Sequence, residues 1–303
     1  MKLLPVILLV LLLACHNVEN NGKSNSSPVA DSVTEKEGTK DLSIVYDLSK
    51  PSKKWVLPDE LKEISGNAWI DEDHLLVIED LHPNLYVIKL EREAARIEKI
   101  VPFETSSDKK FDIEDVAIAG KDAYALWSHG FVFKIANWQG NAKTTEIPTF
   151  LNKKNNTEGI TYDPVSGNLL IACKNKSGLE DEKKSTRAVY ALDLKSDKIN
   201  EEPAILLKKK QFKEESGEKL DFNPSAISIQ PKSHDIYILS TKGTKAMAVY
   251  DHNGELKSVV PIDEDMMPQP EGLCFSPEGE LFISTEGKHG VPARLYRFEP
   301  ASK

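Results

Sequence analysis

EISGNAWI at residues 63–70, DIEDVAI at 112–118, NTEGITY at 156–162, NPSAISI at 223–229 and QPEGLCF at 269–275 are variants of a single motif. Aligned on the third residue, Ser65, Glu114, Glu158, Ser225 and Glu271 stand 49, 44, 67 and 46 residues apart. Repeats of about 40–50 residues that carry several strands each belong to propellers, because one such unit cannot bury its apolar faces alone. Each motif is followed by a short polar turn and then an apolar run: HLLVIED, AYALWSHG, NLLIACK, DIYILST and ELFISTEG. The turns, DED, AGKD, DPVSG, QPKSH and SPEGE, carry hairpin chemistry. A third run follows as LYVIKL, FVFKI, AVYALDL, AMAVYD and RLYRFE, and a fourth as ARIEKIVPF, KTTEIPTF, EPAILLK and LKSVVPI. Four antiparallel strands per unit make a propeller blade. The expected fold is therefore an all-β propeller of five blades, with a six-bladed ring as the alternative. A β-sandwich would have to produce five aligned motifs by accident.

The last unit ends at RLYRFE without a fourth strand, and LSIVYDL at 42–48 precedes the first unit with no other place. That segment is expected to complete the last blade and close the ring, since an unpaired edge invites association. PDELKEI, near residue 58, reads as a turn or one helical turn. The stretches KNKSGLEDEKKSTR (174–187) and KKKQFKEESGEK (208–219) mix charges of both signs and read as solvated loops.

Lys2, the apolar run Leu3–Leu13, Ala14 and Cys15 have the layout of a secretory signal. The run is too short to cross a bilayer, which takes about 20 apolar residues. A small residue followed by Cys is where bacterial lipoprotein precursors are acylated and cut, so residues 1–14 read as a signal peptide and Cys15 as the lipidated first mature residue. The expected location is the cell envelope, with the protein held on a membrane, the outer one, and facing the periplasm or the cell surface. Residues 15–40, rich in Asn, Ser, Gly, Glu and Lys, bury too little apolar surface to order and form a flexible tether. Residues 41–303 then make one β domain. The net charge is −9 with basic residues scattered among acids, which leaves no electrostatic footprint for nucleic acid. Cys173 and Cys274 sit in apolar runs and read as buried free thiols, although an oxidising compartment would let them pair. The tryptophans at 55, 69, 127 and 138 read as packing between sheets.

Carried by EISGNAW, DIEDVAI, NTEGITY, NPSAISI and QPEGLCFSPEGELFISTEG standing in that order, residues 42–300 resemble the SdiA-regulated domain proteins, relatives of NHL-repeat propellers. The resemblance implies a five-bladed propeller with a bound calcium ion, and it implies no settled activity.

In a propeller the innermost strand begins at one mouth of the central channel and the second strand ends there. The third motif residue thus places Glu114, Glu158 and Glu271 around one opening, with Asp80, His129 and Glu286 at the rim. Converging carboxylates repel one another unless protonated or neutralised. Calcium suits them, since it takes six to eight oxygens at about 2.3–2.6 Å in loose geometry, and no Cys or His cluster argues for zinc. Where the motif has Ser65 or Ser225, Glu63 and Asn223 stand two residues earlier as further oxygen donors. The competing reading is that each Glu only holds backbone amides at a blade junction. No nucleophile elbow, phosphate-cradling loop or dinucleotide fingerprint is present. Two functions follow: a module that binds a small ligand or an envelope protein through a calcium-bearing face, or a calcium-dependent hydrolase of lactonase, esterase or phytase type.

Overall fold

The structure, a computed structural model, describes residues 45–105, 111–180, 185–288 and 290–301. Leu42–Lys303 form one compact unit. The expected signal peptide (1–14), Cys15 and the expected tether (15–40) lie outside the described residues.

Among the described residues, twenty-one strands form five sheets. β1 (Lys53–Val56) precedes blade 1, which is β2 (Ile64–Asp71), β3 (His74–Glu79), β4 (Asn84–Leu90) and β5 (Ala95–Pro102). Blade 2 is β6 (Ile113–Ala119), β7 (Asp122–Trp127), β8 (Val132–Ala136) and β9 (Lys143–Ile147). Blade 3 is β10 (Thr157–Asp163), β11 (Asn168–Cys173), β12 (Arg187–Asp193), β13 (Lys198–Ile199) and β14 (Ile205–Leu207). After helix α1 (Lys209–Ser216), blade 4 is β15 (Pro224–Ile229), β16 (Ile236–Ser240), β17 (Ala246–Tyr250) and β18 (Leu256–Pro261). Blade 5 is β19 (Pro270–Phe275), β20 (Leu281–Thr285) and β21 (Arg294–Phe298), with β1 as its outer strand. The inner strands β2, β6, β10, β15 and β19 each lie beside the next, and β19 returns to β2, so the ring is closed. Every strand pairing is antiparallel, as the hairpin turns require.

Apolar side chains fill the spaces between blades. Blades 2 and 3 are joined by Tyr124, Leu126, Ile160 and Ile171, and blades 4 and 5 by Tyr237, Leu239, Leu273 and Ile283. Trp55 and Trp138 are buried as expected, while Trp69 is half-buried and tilts over Phe282. Cys173 and Cys274 are buried free thiols in different blades.

Three local expectations need correction. The closing strand is Lys53–Val56, not residues 42–48: Lys53 pairs with Arg297 and Val56 with Arg294. Trp55 fixes that choice, since its ring is 2 % exposed and its Nε1 donates to the Glu91 carbonyl of blade 1 at 2.7 Å. Tyr46 instead makes an isolated bridge with Pro300 and donates its hydroxyl to the Gly279 carbonyl at 2.6 Å, wedged beside Tyr237 and Phe275. Secondly, EPAILLK is only half a strand. β13 and β14 both pair with β12, and the segment Asn200–Pro203 interrupts them because Pro203 has no amide to donate. Thirdly, KKQFKEES is a helix rather than a loop. One buried residue, Phe212, stacks on Phe222 at 4.7 Å, and Gly217 at φ 77° ends the helix with a left-handed cap. A single apolar side chain leaves no periodicity to read. PDELKEI does hold a single helical turn, over Asp59–Leu61.

Candidate functional site

All five inner strands carry a β-bulge, and it falls on the third motif residue each time. The register skips from Ile64 to Gly66, Ile113 to Asp115, Thr157 to Gly159, Pro224 to Ala226 and Pro270 to Gly272. Ser65, Glu114, Glu158, Ser225 and Glu271 are the bulged residues. A bulge releases one residue from the ladder and re-aims its side chain. The residue after it is Gly in three blades because neighbouring inner strands nearly touch there. A Cβ on Gly66 would stand 2.6 Å from the Asp115 Cα, and one on Gly159 would stand 2.9 Å from the Ile227 amide nitrogen.

Two further sets of residues surround the bulges at the same mouth. Two positions earlier stand Glu63, Asp112, Asn156, Asn223 and Gln269. Just after the second strands stand Asp80, Ser128, Lys174, Thr241 and Glu286. The two serine bulges stitch blades together: Ser65 Oγ donates to the Ile113 carbonyl at 2.8 Å and Ser225 Oγ to the Pro270 carbonyl at 3.0 Å. Asn223 is fully engaged, accepting from Arg187 Nη2 at 2.6 Å and donating to the carbonyls of Asp221 and Lys242. His129 stands one residue beyond the ring position and stacks on Trp127 at 5.0 Å, while Ser128 holds the position and donates to Asp112 at 2.7 Å.

The acidic members of these sets raise one another. Burial, then Glu63, Glu79 and Asp112, push Asp80 to about 6. Burial, then Glu63 and Asp80, push Glu286 to about 7 against the pull of Lys174. Burial lifts Glu271 to about 8, with Lys174 opposing and Glu158 and Glu286 adding. Glu114 rises well above the carboxylate range through burial and then through Glu158 and Asp112. Glu158 also rises by burial, but Lys174 holds it down. Lys174 Nζ sits 2.7 Å from Glu158 Oε2 with both side chains largely buried, and Glu114 and Glu271 add to its field. Seven carboxyl groups, Glu63, Asp80, Asp112, Glu114, Glu158, Glu271 and Glu286, thus share one mouth, where Lys174 pairs with Glu158 and Lys62 Nζ lies 4.0 Å from Glu63.

Calcium was expected here, and the donor chemistry suits a hard cation. The oxygens are carboxylate and amide, and Asp80 Oδ1 is buried with no hydrogen-bond partner. Among the described residues, no group of three or more His, Cys, Asp or Glu stands arranged to hold a metal ion. At Glu158 both oxygens are already taken, by Lys174 Nζ and by Asn156 Nδ2.

Two residues escaped the sequence reading. Lys174 was grouped with a solvated charge run, yet it follows β11 directly, in the place that Asp80 and Glu286 hold after their own second strands. That equivalence was the available signal. Asp115 occupies the position after the bulge where three blades have Gly. Its buried carboxylate accepts the Val116 and Ile160 amides at 2.8 and 2.9 Å, joining blade 2 to blade 3, and burial pushes it well above its ordinary range. The channel's other mouth is a cavity of about 290 Å³ that mixes apolar residues such as Trp69, Ile118, Ile229 and Phe275 with Asn67 and Ser228.

Residues 53–299 match the family model described as SdiA-regulated. No curated protein matches the chain. Among solved structures, Myxococcus xanthus glutaminyl cyclase is 13% identical and superposes with a TM-score of 0.54 over 82% of this chain and 95% of its own. A protein of unknown function from Bacteroides thetaiotaomicron is 11% identical, with a TM-score of 0.49 over 78% of this chain and 70% of that one. A putative gluconolactonase is 13% identical, with a TM-score of 0.49 over 80% and 77%. Identity this low makes the likeness one of fold.

Proposed function

Because the chain belongs to the SdiA-regulated family, we propose that it is an envelope lipoprotein whose propeller binds a small ligand or an envelope protein through a calcium-bearing mouth. The observation that carries this reading is the imbalance at the mouth, seven carboxyl groups against Lys174 and the more exposed Lys62, with Asp80 Oδ1 left bare. Buried like charges must either keep protons or gather a cation. Asp80, Glu114 and Glu271 supply oxygens that no ammonium pairs directly, and Glu63 and Glu286 supply more at the rim. Calorimetric titration of the chelated full-length protein with calcium is expected to show saturable binding, with a rise in melting temperature that chelator reverses. A ligand that binds only the folded state contributes about 2.7 kcal/mol at a hundredfold excess over Kd. No heat of binding at millimolar calcium would overturn the calcium module.

A second reading is favoured by the values near neutrality at Glu286 and Glu271, about 7 and about 8, which suit groups that hold and return a proton at working pH. Calcium would there supply the charge that polarises a carbonyl or phosphoryl oxygen. The reading predicts calcium-dependent turnover of a lactone, ester or phosphoester that Glu286→Gln lowers at least a hundredfold even at calcium concentrations that saturate the variant. Absence of turnover across all three classes leaves the binding module.

The anchor is tested separately. Cys15→Ala is expected to move the protein from the membrane fraction into the periplasmic or culture fraction without altering its melting temperature, as two acyl signals are needed for firm attachment. Retention on membranes after that change argues against lipidation.

A further inference from the structure

The fifth residue of the repeated motif is apolar in four blades, as Val116, Ile160, Ile227 and Leu273, and is Asn67 in the first. Asn67 is 2 % exposed, and its Nδ2 donates to Ser284 Oγ of blade 5 at 3.2 Å. Among the described residues no group donates to its buried Oδ1. An acceptor buried without a partner is unfavourable, and a ligand that donates to it relieves that cost. Asn67 lines the cavity of about 290 Å³ at the end of the channel opposite the acidic mouth. The sixth motif residue is small in blades 1, 2 and 4, as Ala68, Ala117 and Ser228, which leaves the space open, and the seventh puts Trp69, Tyr162 and Phe275 around it. Three of the turns that follow bring a proline to the cavity, Pro164, Pro231 and Pro277, and the side chain before each proline holds its turn. Asp163 Oδ1 accepts the Val165 amide at 2.9 Å, Gln230 Oε1 the Lys232 amide at 2.6 Å and Ser276 Oγ the Glu280 amide at 3.1 Å. The entrance is therefore set before anything binds.

We propose that this end of the channel binds a small neutral ring molecule carrying one hydrogen-bond donor, its rings between Trp69, Tyr162 and Phe275 and its donor on Asn67 Oδ1. The site is separate from the acidic mouth and stands whether or not calcium binds there. Neutrality follows from the lining: among the described residues none that borders the cavity is charged, so an ionised ligand would lose its hydration with nothing to pair it. Size follows from the volume, because a cavity of about 150 Å³ suffices to take up benzene. Room for two fused rings remains here. Aromatic walls favour a flat ligand, which stacks on one ring and meets another edge-on. The single donor follows from Asn67, the polar residue at the fifth motif position, whose amide nitrogen is engaged and whose oxygen is not.

Equilibrium dialysis of the full-length protein in chelator tests this with three probes of similar shape: β-naphthol, which donates, β-methylnaphthalene, which cannot, and β-naphthoate, which is charged. Two substitutions borrow the residue that a sister blade carries at the same motif position, Asn67→Leu from blade 5 and Ile118→Trp from blade 1. The wild type is expected to take up one β-naphthol per chain and to bind β-naphthoate at least tenfold more weakly. Ile118→Trp, which fills the space, is expected to weaken both neutral probes at least tenfold. Asn67→Leu removes the acceptor and keeps the volume, so the preference for β-naphthol over β-methylnaphthalene is expected to fall at least tenfold. The site is overturned if the wild type takes up no β-naphthol, if it holds β-naphthoate as tightly, or if Ile118→Trp binds the neutral probes as well as the wild type does. An unchanged preference in Asn67→Leu overturns the donor requirement and leaves Asn67 as a tie between blades 1 and 5 through Ser284. Should Asn67→Leu fail to fold, Ile118→Trp decides alone, since Ile118 is only half-buried at the cavity wall and tolerates a larger side chain.

Discussion

Removal of residues 1–40 is expected to leave the melting temperature of the propeller unchanged, and removal through Val56 is expected to abolish cooperative folding. The first deletion takes away the segment read as a signal peptide together with residues 15–40, which the sequence marks as too polar to bury. The second takes away β1 and exposes the edge of β21, from Arg294 to Phe298. It also empties the space between blades 5 and 1 where Trp55 stacks near Phe282 at 6.3 Å. Truncating a buried tryptophan alone costs about 3–5 kcal/mol, a large share of the 5–15 kcal/mol that holds a typical domain together. Trp55→Ala in the full chain should therefore lose most of the margin while the ring still closes. A deletion through Leu48 lies between the two, since it removes the buried Tyr46 and Leu48 and spares the closing strand. Thermal and chemical denaturation of the series decides the matter, and equal stability of the two extreme truncations would sink the closure.

The second large effect concerns pH. In chelator, the folded protein holds protons on Glu271 up to about 8, on Glu286 up to about 7 and on Asp80 up to about 6, while the unfolded chain releases them near 4. Between those limits the folded state binds more protons than the unfolded state, so stability falls as pH rises. These groups thus contribute their stabilisation fully only below the unfolded values, and it is gone once the pH passes about 8. Each unit of elevation is worth about 1.4 kcal/mol, which amounts to several kcal/mol across the mouth before solvent screening is allowed for. Glu271 faces Lys174, Glu158 and Glu286, and the lysine only softens the trend. Glu271→Gln, which keeps the shape without the charge, should match the wild type near pH 5 and exceed it increasingly toward pH 9. Saturating calcium should flatten the wild-type profile, since a bound cation favours the ionised carboxylates. Parallel profiles for the two proteins from pH 5 to pH 9, measured by urea denaturation, would show that Glu271 carries no such burden.

The fold was legible because its signal repeats. A single motif such as NPSAISI says little, but five of them at blade spacing fix five inner strands, and each following run fell where a second and third strand belong. What could not be read was whatever occurs once. The closing strand KKWV has one inward residue and no counterpart elsewhere in the chain. The helix around Phe212 likewise has one buried side chain and no period. The site divides in the same way. Glu114, Glu158 and Glu271 could be placed because they recur. Lys174 and Asp115 could not, because each replaces the usual residue of its position, and a substitution is informative only once the position is known.

The five bulges have a consequence for how such a chain can change over generations. A bulged residue takes no part in strand pairing, so mutation at positions 65, 114, 158, 225 and 271 leaves every rung of the ladders intact. Drift there alters the charge presented at the opening without touching the ladders, although at Ser65 and Ser225 it also costs a hydrogen bond between blades. A lineage can therefore change what the opening presents at Glu114, Glu158 and Glu271 by point mutations that leave the pairing within every blade whole.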